Sequence, residues 1–263
     1  MKLAGRVALV TGASRGIGEA IARNFAAEGA AVAVSARTVA EGDHPFPGSI
    51  TTTVSSIEQT GGRALAVAAD LARLEQRRAL VETVERELGP IDVLVNNAAI
   101  TYFEPAGTFS ASHYALMFEV QVRAPFELAQ LVLPGMRARK QGWILNISSG
   151  AARHPEGPPY SRRMRGGSVY GMCKAALERF TSGLAAEVYD DGIAVNALSP
   201  SGLVPTPGVV HHGLDRGVPE DALEPVDVMA DAALALCSGD PAVLTGRIAY
   251  ARPLLAELAS GRD

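Results

Sequence analysis

The chain has 263 residues, of which 48% are hydrophobic and 20% charged, a balance typical of folded globular proteins and not of disordered ones. Its formal net charge of -4 gives no electrostatic reason to expect nucleic acid or an anionic membrane as a partner. The two cysteines, Cys173 and Cys237, have no metal-like or redox-like spacing, so we expect reduced thiols and no bound metal.

Arg6 and Gly12 interrupt the first apolar run, which therefore does not resemble the core of a signal peptide. No uncharged apolar stretch approaches the roughly 18 residues of a membrane span. Together with the reduced thiols, these features predict a soluble, cytoplasmic protein.

Short apolar strands alternate with longer helical patterns along the chain. The predicted strands are 6–11, 31–35, 63–70, 91–96, 143–148, 192–198 and 247–250. The predicted helices are 16–29, one ending near 61, one ending near 89, 112–140, 168–189 and 226–238. Segments 39–48, 151–167 and 200–225 are rich in Pro and Gly and are predicted to be irregular. This alternation predicts an α/β fold in a single domain over 1–263, with helices on both faces of a parallel sheet.

A glycine-rich segment, T-G-A-S-R-G-I-G at 11–18, lies between the first strand and the first helix. Glycines allow backbone N–H groups to approach a pyrophosphate, and the helix N-terminus favours the negative charge. A purely structural tight turn is the alternative. The position directly after the first strand of a βαβ unit favours a cofactor site.

The pattern T-G-x-x-x-G-x-G resembles the short-chain dehydrogenase/reductase family, and the likeness runs from Arg6 to about Tyr250. The resemblance implies a doubly wound, Rossmann-type sheet of about seven parallel strands in the order 3-2-1-4-5-6-7. It also implies a nicotinamide cofactor held by a set of residues spread over the strand ends. That set is Gly12, Ser14, Arg15, Gly16, Ile17, Gly18, Arg37, Asp70, Leu71, Asn97, Tyr170, Lys174, Val204 and Thr206.

The end of the second strand, V-S-A-R at 34–37, favours NADP(H) over NAD(H). NAD-binding proteins place an acid there to accept from the ribose hydroxyl, and that acid would repel a 2′-phosphate. Here Arg37 and Arg15 can converge on the phosphate instead. The alternative is that both arginines are solvated surface residues.

Tyr170 and Lys174 lie at i and i+4, on one face of a predicted helix. A phenol with an ordinary pKa near 10 is poorly matched to neutral pH, so a nearby cation is expected to lower the pKa of Tyr170. The resemblance implies that Ser149 orients the substrate oxygen, with Ser148 as runner-up because it points to the other face of its strand. These residues predict hydride exchange at a ketone or secondary alcohol.

The chain departs from the family pattern at several points. Gln121 stands where the family commonly has Asn, whose backbone carbonyl holds a water of a proton relay, and Ala99 replaces a glycine. The interval from Ser149 to Tyr170 is 21 residues, against roughly 13 in the family. P-S-G-L-V-P-T at 200–206 resembles P-G-x-x-x-T with one residue inserted. A relative that dehydrates or epimerises, and a cofactor-binding regulatory or scaffold protein with little turnover, are the alternative functions.

The irregular segments 151–167 and 200–225 flank the catalytic helix and are expected to form the mouth for a small carbonyl or alcohol substrate. His211 and His212 in the second segment are expected to be exposed and not metal ligands. The family's fourth and fifth helices pair across two-fold axes, which implies a homo-oligomer, a tetramer or a dimer. Apolar residues on these helices fit that expectation: Phe126, Leu128, Leu131, Val132, Leu177, Phe180 and Leu184.

Overall fold

The computed structural model describes residues 1–160, 165–211 and 213–261. Seven parallel strands form one sheet in the order β3-β2-β1-β4-β5-β6-β7, which confirms the predicted doubly wound topology. The strands are β1 (Val7–Thr11), β2 (Ala31–Ala36), β3 (Arg63–Ala68), β4 (Val93–Asn96), β5 (Gly142–Ile147), β6 (Ile193–Ser199) and β7 (Ile248–Tyr250).

Helices pack on both faces of this sheet because the strands are apolar on both sides. They are α1 (Gly16–Ala27), α2 (Ile50–Gln59), α3 (Leu74–Glu87), α4 (Ala111–Phe118), α5 (Ala124–Arg139), α6 (Ser168–Glu187), α7 (Pro207–His211), α8 (Val226–Ser238) and α9 (Ala251–Ala259). Within β1, Ala8 and Val10 join the core beneath α1 and α8, whereas Val7 and Leu9 join the core beneath α3 and α5.

The strand order reverses beside β1, which pairs with β2 on one side and β4 on the other. Connections therefore leave the sheet to opposite faces at this point, and a crevice opens at the carboxyl ends of β1 and β4. The polar segments that follow the strands all reach this edge. The fold thus brings the glycine-rich turn and the candidate catalytic residues to one side of the sheet.

The prediction of one uninterrupted helix over 112–140 is wrong. The segment contains α4, a π-helical turn at Glu119–Arg123 and then α5, and the N–H of Ala124 bonds the carbonyl of Glu119 five residues back. Pro125 explains the interruption, since it has no N–H to give the carbonyl of Gln121 and its ring crowds that carbonyl. The wider turn accommodates both constraints.

Two further helices were not predicted. Residues 200–225 contain α7 and a 3₁₀ turn at Glu220–Ala222, and α9 follows β7 with Ala251 and Leu254 in the core. Prolines obscure both helices in the sequence. Pro207 and Pro253 each lie in the first turn of a helix, where the backbone N–H has no intrahelical partner. A proline is therefore compatible with a helix at these positions.

An ionic cluster around the buried Arg77 joins α3 to the π-helical turn. Arg77 is 1% exposed and lies 2.8 Å from carboxylate oxygens of both Glu119 and Glu127. It also donates to the carbonyl of Leu71 at 2.6 Å. The guanidinium therefore ties the loop after β3 to the interrupted helix.

The apolar face expected to contact a second copy of the chain is smaller than the sequence predicts. Leu128, Val132, Leu177 and Leu184 are buried in the chain's own core, while Phe126 and two half-buried residues, Leu131 and Phe180, remain at the surface. Among the described helices, none combines the length and apolarity needed to cross a bilayer.

Candidate active site

A cavity of about 850 Å³ lies along the carboxyl edge of the sheet, from the end of β2 to the start of α6. Fourteen of the sixteen predicted site residues line it, and Gly18 and Gln121 do not. The lining residues are Gly12, Ser14, Arg15, Gly16, Ile17, Arg37, Asp70, Leu71, Asn97, Ser149, Tyr170, Lys174, Val204 and Thr206.

The turn after β1 requires glycine. Gly12 and Gly16 have φ of +65° and +60°, and a Cβ on Gly12 would lie 2.7 Å from the Cα of Ala98. No side chain caps the first turn of α1, because its N-cap residue is Arg15, whose side chain has no acceptor. The N–H groups of this turn are thus left for an anion in the cavity. These features fit the pyrophosphate of a dinucleotide.

Asn97 braces this turn from the neighbouring strand. Its Nδ2 donates to the carbonyls of Thr11 and Gly12 at 2.9 and 3.0 Å, and its backbone N–H donates to the Thr11 hydroxyl. A Cβ on Gly18 would collide with the same amide, so Gly18 serves packing beneath the cavity. Ala99 has an ordinary backbone, since Lys140 is the only non-glycine residue of the described chain with positive φ.

The loop after β2 folds over Arg15. The guanidinium donates to the carbonyls of Pro47 and Gly48 at 3.0 and 2.6 Å and approaches Nδ1 of His44 at 3.1 Å. Burial and the cations of Arg15 and Arg37 lower the pKa of His44. Most donors of Arg15 are therefore occupied by its own chain.

Arg37 remains exposed at the same end of the cavity, next to Ala36 and with no acid at that position. Phe46 of the folded loop contacts His211 of α7, with ring centroids 4.6 Å apart, so the two loops meet across the cavity. His211 is thereby in an aromatic contact, and His212 lies outside the described residues.

Asp70 and Leu71 follow β3 at the adenine end that the resemblance implies. The Asp70 carboxylate accepts from the N–H of Ala72 at 3.1 Å and lies 3.6 Å from Arg73. It therefore closes a turn and does not cap α3, whose N-cap residue is Arg73. The loop after β6 reaches the glycine-rich turn from the other side, since a Cβ on Gly16 would lie 3.1 Å from Cγ2 of Thr206.

Ser149, Tyr170 and Lys174 converge at the other end of the cavity. The hydroxyls of Ser149 and Tyr170 are hydrogen-bonded. Lys174 is 3% exposed, and its ammonium donates to the carbonyl of Ile147 at 2.9 Å. Ser148 also lines the cavity, but its hydroxyl donates to Glu178 at 2.6 Å. The geometry therefore groups Ser149, and not Ser148, with the tyrosine.

Burial governs the pKa values of the two central groups. It raises the pKa of Tyr170, against the opposing effect of the Ser149 hydrogen bond, and it lowers the pKa of Lys174 to about 8. The expectation that the lysine lowers the pKa of Tyr170 is not met in the protein alone, because desolvation outweighs any attraction by the ammonium. Tyr170 is thus protonated at neutral pH.

Gln121 lies in the π-helical turn and is 1% exposed. Its Nε2 donates to the carbonyl of Ile100 at 2.8 Å, whereas its buried Oε1 has no partner among the described residues. Through this hydrogen bond the side chain anchors the loop after β4. Its backbone carbonyl, opposite the missing N–H of Pro125, is free of the usual helical bond.

Several cavity residues were missed by the sequence reasoning. The most informative are Arg153 and Tyr250 at the Ser149 end and His44 and Phe46 at the other end. The only sequence signal for Arg153 was the long interval between Ser149 and Tyr170. His44 and Phe46 lie in a segment predicted only to be irregular, and Tyr250 lies at the end of a predicted strand.

The chain belongs to the short chain dehydrogenase family, whose model matches residues 6–213. It is 36% identical to a short chain dehydrogenase of Pseudocercospora fijiensis over 84% of this chain and 64% of that protein. It is 35% identical to hydroxysteroid dehydrogenase-like protein 2 of Xenopus laevis over 89% of this chain and 54% of that protein. The chain thus spans less than two thirds of the length of these relatives.

Solved structures share the same fold. A metagenomic short-chain oxidoreductase in complex with NADP superimposes with a TM-score of 0.77 at 28% identity, covering 95% of this chain and 99% of that one. A dehydrogenase structure from Xanthomonas campestris, described as putative in function, gives a TM-score of 0.82 at 31% identity, covering 98% of this chain and 90% of that one.

Proposed function

We propose that this protein is an NADP(H)-dependent oxidoreductase that exchanges hydride between the nicotinamide and a ketone or secondary alcohol. The observation that carries the proposal is the convergence of Ser149, Tyr170 and Lys174 in the cavity that begins at the glycine-rich turn. The bound nicotinamide supplies or accepts the hydride at its C4 atom, so neither a metal ion nor a covalent intermediate is needed.

Tyr170 is the general acid in carbonyl reduction. Burial keeps its phenol protonated, so it donates its proton to the oxygen of the substrate as negative charge develops there. Ser149, already hydrogen-bonded to the phenol, orients the same oxygen. In alcohol oxidation the tyrosine must instead accept the proton of the alcohol as a base. Its raised pKa disfavours the phenolate that this role requires at neutral pH.

Lys174 has two roles in this proposal. One N–H of its ammonium is fixed on the carbonyl of Ile147, and the others are available to the nicotinamide-side ribose. Its positive charge also favours the phenolate formed when Tyr170 gives up its proton. The backbone carbonyl of Gln121, which lacks the usual helical bond from Pro125, is suited to hold a water through which solvent replaces the proton that Lys174 passes to the Tyr170 phenolate.

The cofactor preference rests on Arg37. It is exposed in the cavity at the end of β2, where no acid would repel a 2′-phosphate, whereas Arg15 mainly holds the loop over it. We expect NADP(H) to bind at least tenfold more tightly than NAD(H), a difference of about 1.4 kcal/mol. Titration of both cofactors checks this, and Arg37→Asp should reverse the preference. Equal dissociation constants in the wild type would contradict it.

The activity is tested by NADPH consumption across a panel of ketones, aldehydes and quinones. Tyr170→Phe removes the transferable proton with little change in shape and should lower turnover by a factor of about 100 or more. Cofactor affinity should barely change. Tyr160→Phe is the matched control, since Tyr160 is 64% exposed on the loop before α6.

Near-normal turnover by Tyr170→Phe on a verified substrate would refute the assignment of the acid. Tight NADPH binding without turnover of any panel member, at any pH between about 6 and 9, would favour a regulatory or scaffold role. We further propose that the protein works in the cytoplasm, in keeping with two buried, unpaired cysteines.

A further inference from the structure

One arginine that the catalytic proposal does not use lies at the substrate end of the cavity. Arg153 directly follows the 3₁₀ turn Gly150–Ala152, which begins after Ser149, and its N–H bonds the carbonyl of Gly150 at 3.2 Å. This turn packs tightly on α6, since a Cβ on Gly171 would lie 2.8 Å from the carbonyl oxygen of Ala151. The backbone of Arg153 is therefore fixed relative to the catalytic helix.

The side chain of Arg153 is positioned as well. Its Cζ lies 4.1 Å from the centroid of the Tyr250 ring, at the end of β7, and both residues line the cavity together with Ser149 and Tyr170. Stacking occupies the face of the guanidinium and leaves the N–H donors along its edge. An arginine held in this way loses little conformational entropy when it binds a planar anion.

Arg153 has no carboxylate partner within residues 1–160, 165–211 and 213–261. The acids beside two lining residues are already engaged: Glu104, next to Phe103, is hydrogen-bonded to His113, and Glu224, which accepts from the N–H of Ser201, lies 3.1 Å from Arg252. Asp70 is the one acid that lines the described cavity, and it belongs to the adenine end. The substrate end is thus left with unneutralised positive charge.

In sequence, segment 151–167 is basic as a whole, with four arginines and one glutamate. The other wall of the cavity is apolar, with Ile100, Phe103, Leu116, Leu203 and Leu214. A cleft with apolar walls and charge of one sign at its mouth attracts ligands of the opposite charge.

We propose that Arg153 binds an oxyanion, a carboxylate or a phosphate ester, at the far end of a substrate whose reacting carbonyl is carried on an apolar body. The guanidinium pairs with two oxygens of the anion, the apolar wall covers the intervening carbons, and the carbonyl reaches Ser149 and Tyr170. This inference rests on the proposed reductase activity and adds the class of substrate to it.

The test compares methyl-ketone fatty acids of increasing chain length with their methyl esters and with the corresponding ω-phosphates. For each pair, kcat/KM with NADPH is measured in the wild type, Arg153→Gln and Arg153→Lys. Arg78→Gln is the matched control, because it removes the same charge from an exposed position on α3. All variants are first checked for folding by circular dichroism.

At the best chain length, the wild type should favour the anionic ketone over its ester by a factor of about 10 or more, mainly through KM. Added salt should reduce this ratio. Arg153→Gln should bring it to about one, Arg153→Lys should retain part of it, and Arg78→Gln should leave it unchanged. Preference for the phosphate or the carboxylate identifies which anion fits.

A ratio near one in the wild type at every length, or a ratio unchanged in Arg153→Gln, overturns the proposal while leaving the reductase activity intact. If no ketone of any kind is turned over, the proposed activity itself fails. In that case, calorimetric titration of the NADP-loaded protein with the same acids tests whether Arg153 binds an anion. Binding that is equal in the wild type and in Arg153→Gln, or absent from both, refutes its role.

Discussion

Replacement of Lys174 by Met should change how the stability of the protein depends on pH. Lys174 is 3% exposed, and burial lowers its pKa from an ordinary value of 10.5 to about 8. Its neighbours offer little compensation. Glu178 bonds the Ser148 hydroxyl, and burial raises the pKa of the Cys173 thiol to about 11, so that thiol carries no charge at neutral pH.

The direction follows from proton linkage. Below pH 8 the lysine is charged in both the folded and the unfolded protein, and folding includes the full cost of burying that charge. Between about 8 and 10.5 the folded protein has released the proton while the unfolded protein retains it, so the wild type gains stability as pH rises. At about 1.4 kcal/mol per pH unit, the gain over this interval is about 3 kcal/mol.

The assay is urea denaturation of the cofactor-free wild type and Lys174→Met at intervals between pH 7 and 10.5. The free energy of unfolding of the variant minus that of the wild type should fall by about 3 kcal/mol across this range. The hydrogen bond from the ammonium to Ile147 weakens when the proton leaves, and the lowered pKa already includes this effect. Lys2→Met, at an exposed position, should show a constant difference. A constant difference for Lys174→Met as well would refute the reasoning.

Three further outcomes are expected. Arg77→Met should lower the free energy of unfolding by about 2 kcal/mol, because two partly buried carboxylates lose their buried cation and keep only the exposed Arg123. Arg78→Met, one residue away and exposed, should change it by less than about 0.5 kcal/mol, and equal effects would contradict the ionic explanation. Gly12→Ala should weaken NADPH binding at least tenfold in titrations, because the added Cβ strains the turn; unchanged affinity would show that the turn does not hold the cofactor. Light scattering should give a tetramer or dimer that Phe126→Arg dissociates, since this side chain is 44% exposed and packs edge-on to Phe180; a monomeric wild type would contradict this.

Much of the fold could be predicted because parallel strands buried on both faces leave continuous apolar runs in the sequence. The strand order came from the resemblance and is confirmed. The break at Glu119–Arg123 was missed because the residues on either side share one helical pattern, although Pro125 was a visible cause. The helices that contain Pro207 and Pro253 were missed for the opposite reason: a proline in the first turn of a helix does not prevent the helix.

The candidate site was predictable where short patterns sit at fixed places in a βαβ unit, as with the turn at 11–18 and the pair Tyr170 and Lys174. The electrostatics of the site could not be predicted from the sequence. The raised pKa of Tyr170 depends on how deeply its hydroxyl is buried, and no spacing of residues reports that depth. Arg15 was predicted as a phosphate ligand, yet the loop at 44–48 occupies most of its donors. Such long-range contacts within loops leave no periodic signal in a sequence.

Because Ser149 and Tyr170 lie on two rigid elements, the segment between them can change in length and sequence with little effect on stability. Ser149 follows β5 and Tyr170 lies in α6, and these elements are joined beneath the cavity by the hydrogen bond from Asn146 to Thr181 at 2.8 Å. Lengthening the connection from roughly 13 to 21 residues adds only about 0.4 kcal/mol of loop-closure entropy. Changes in this segment can therefore alter which molecules are accepted while the reacting groups keep their spacing, so it is the natural region for directed evolution of selectivity.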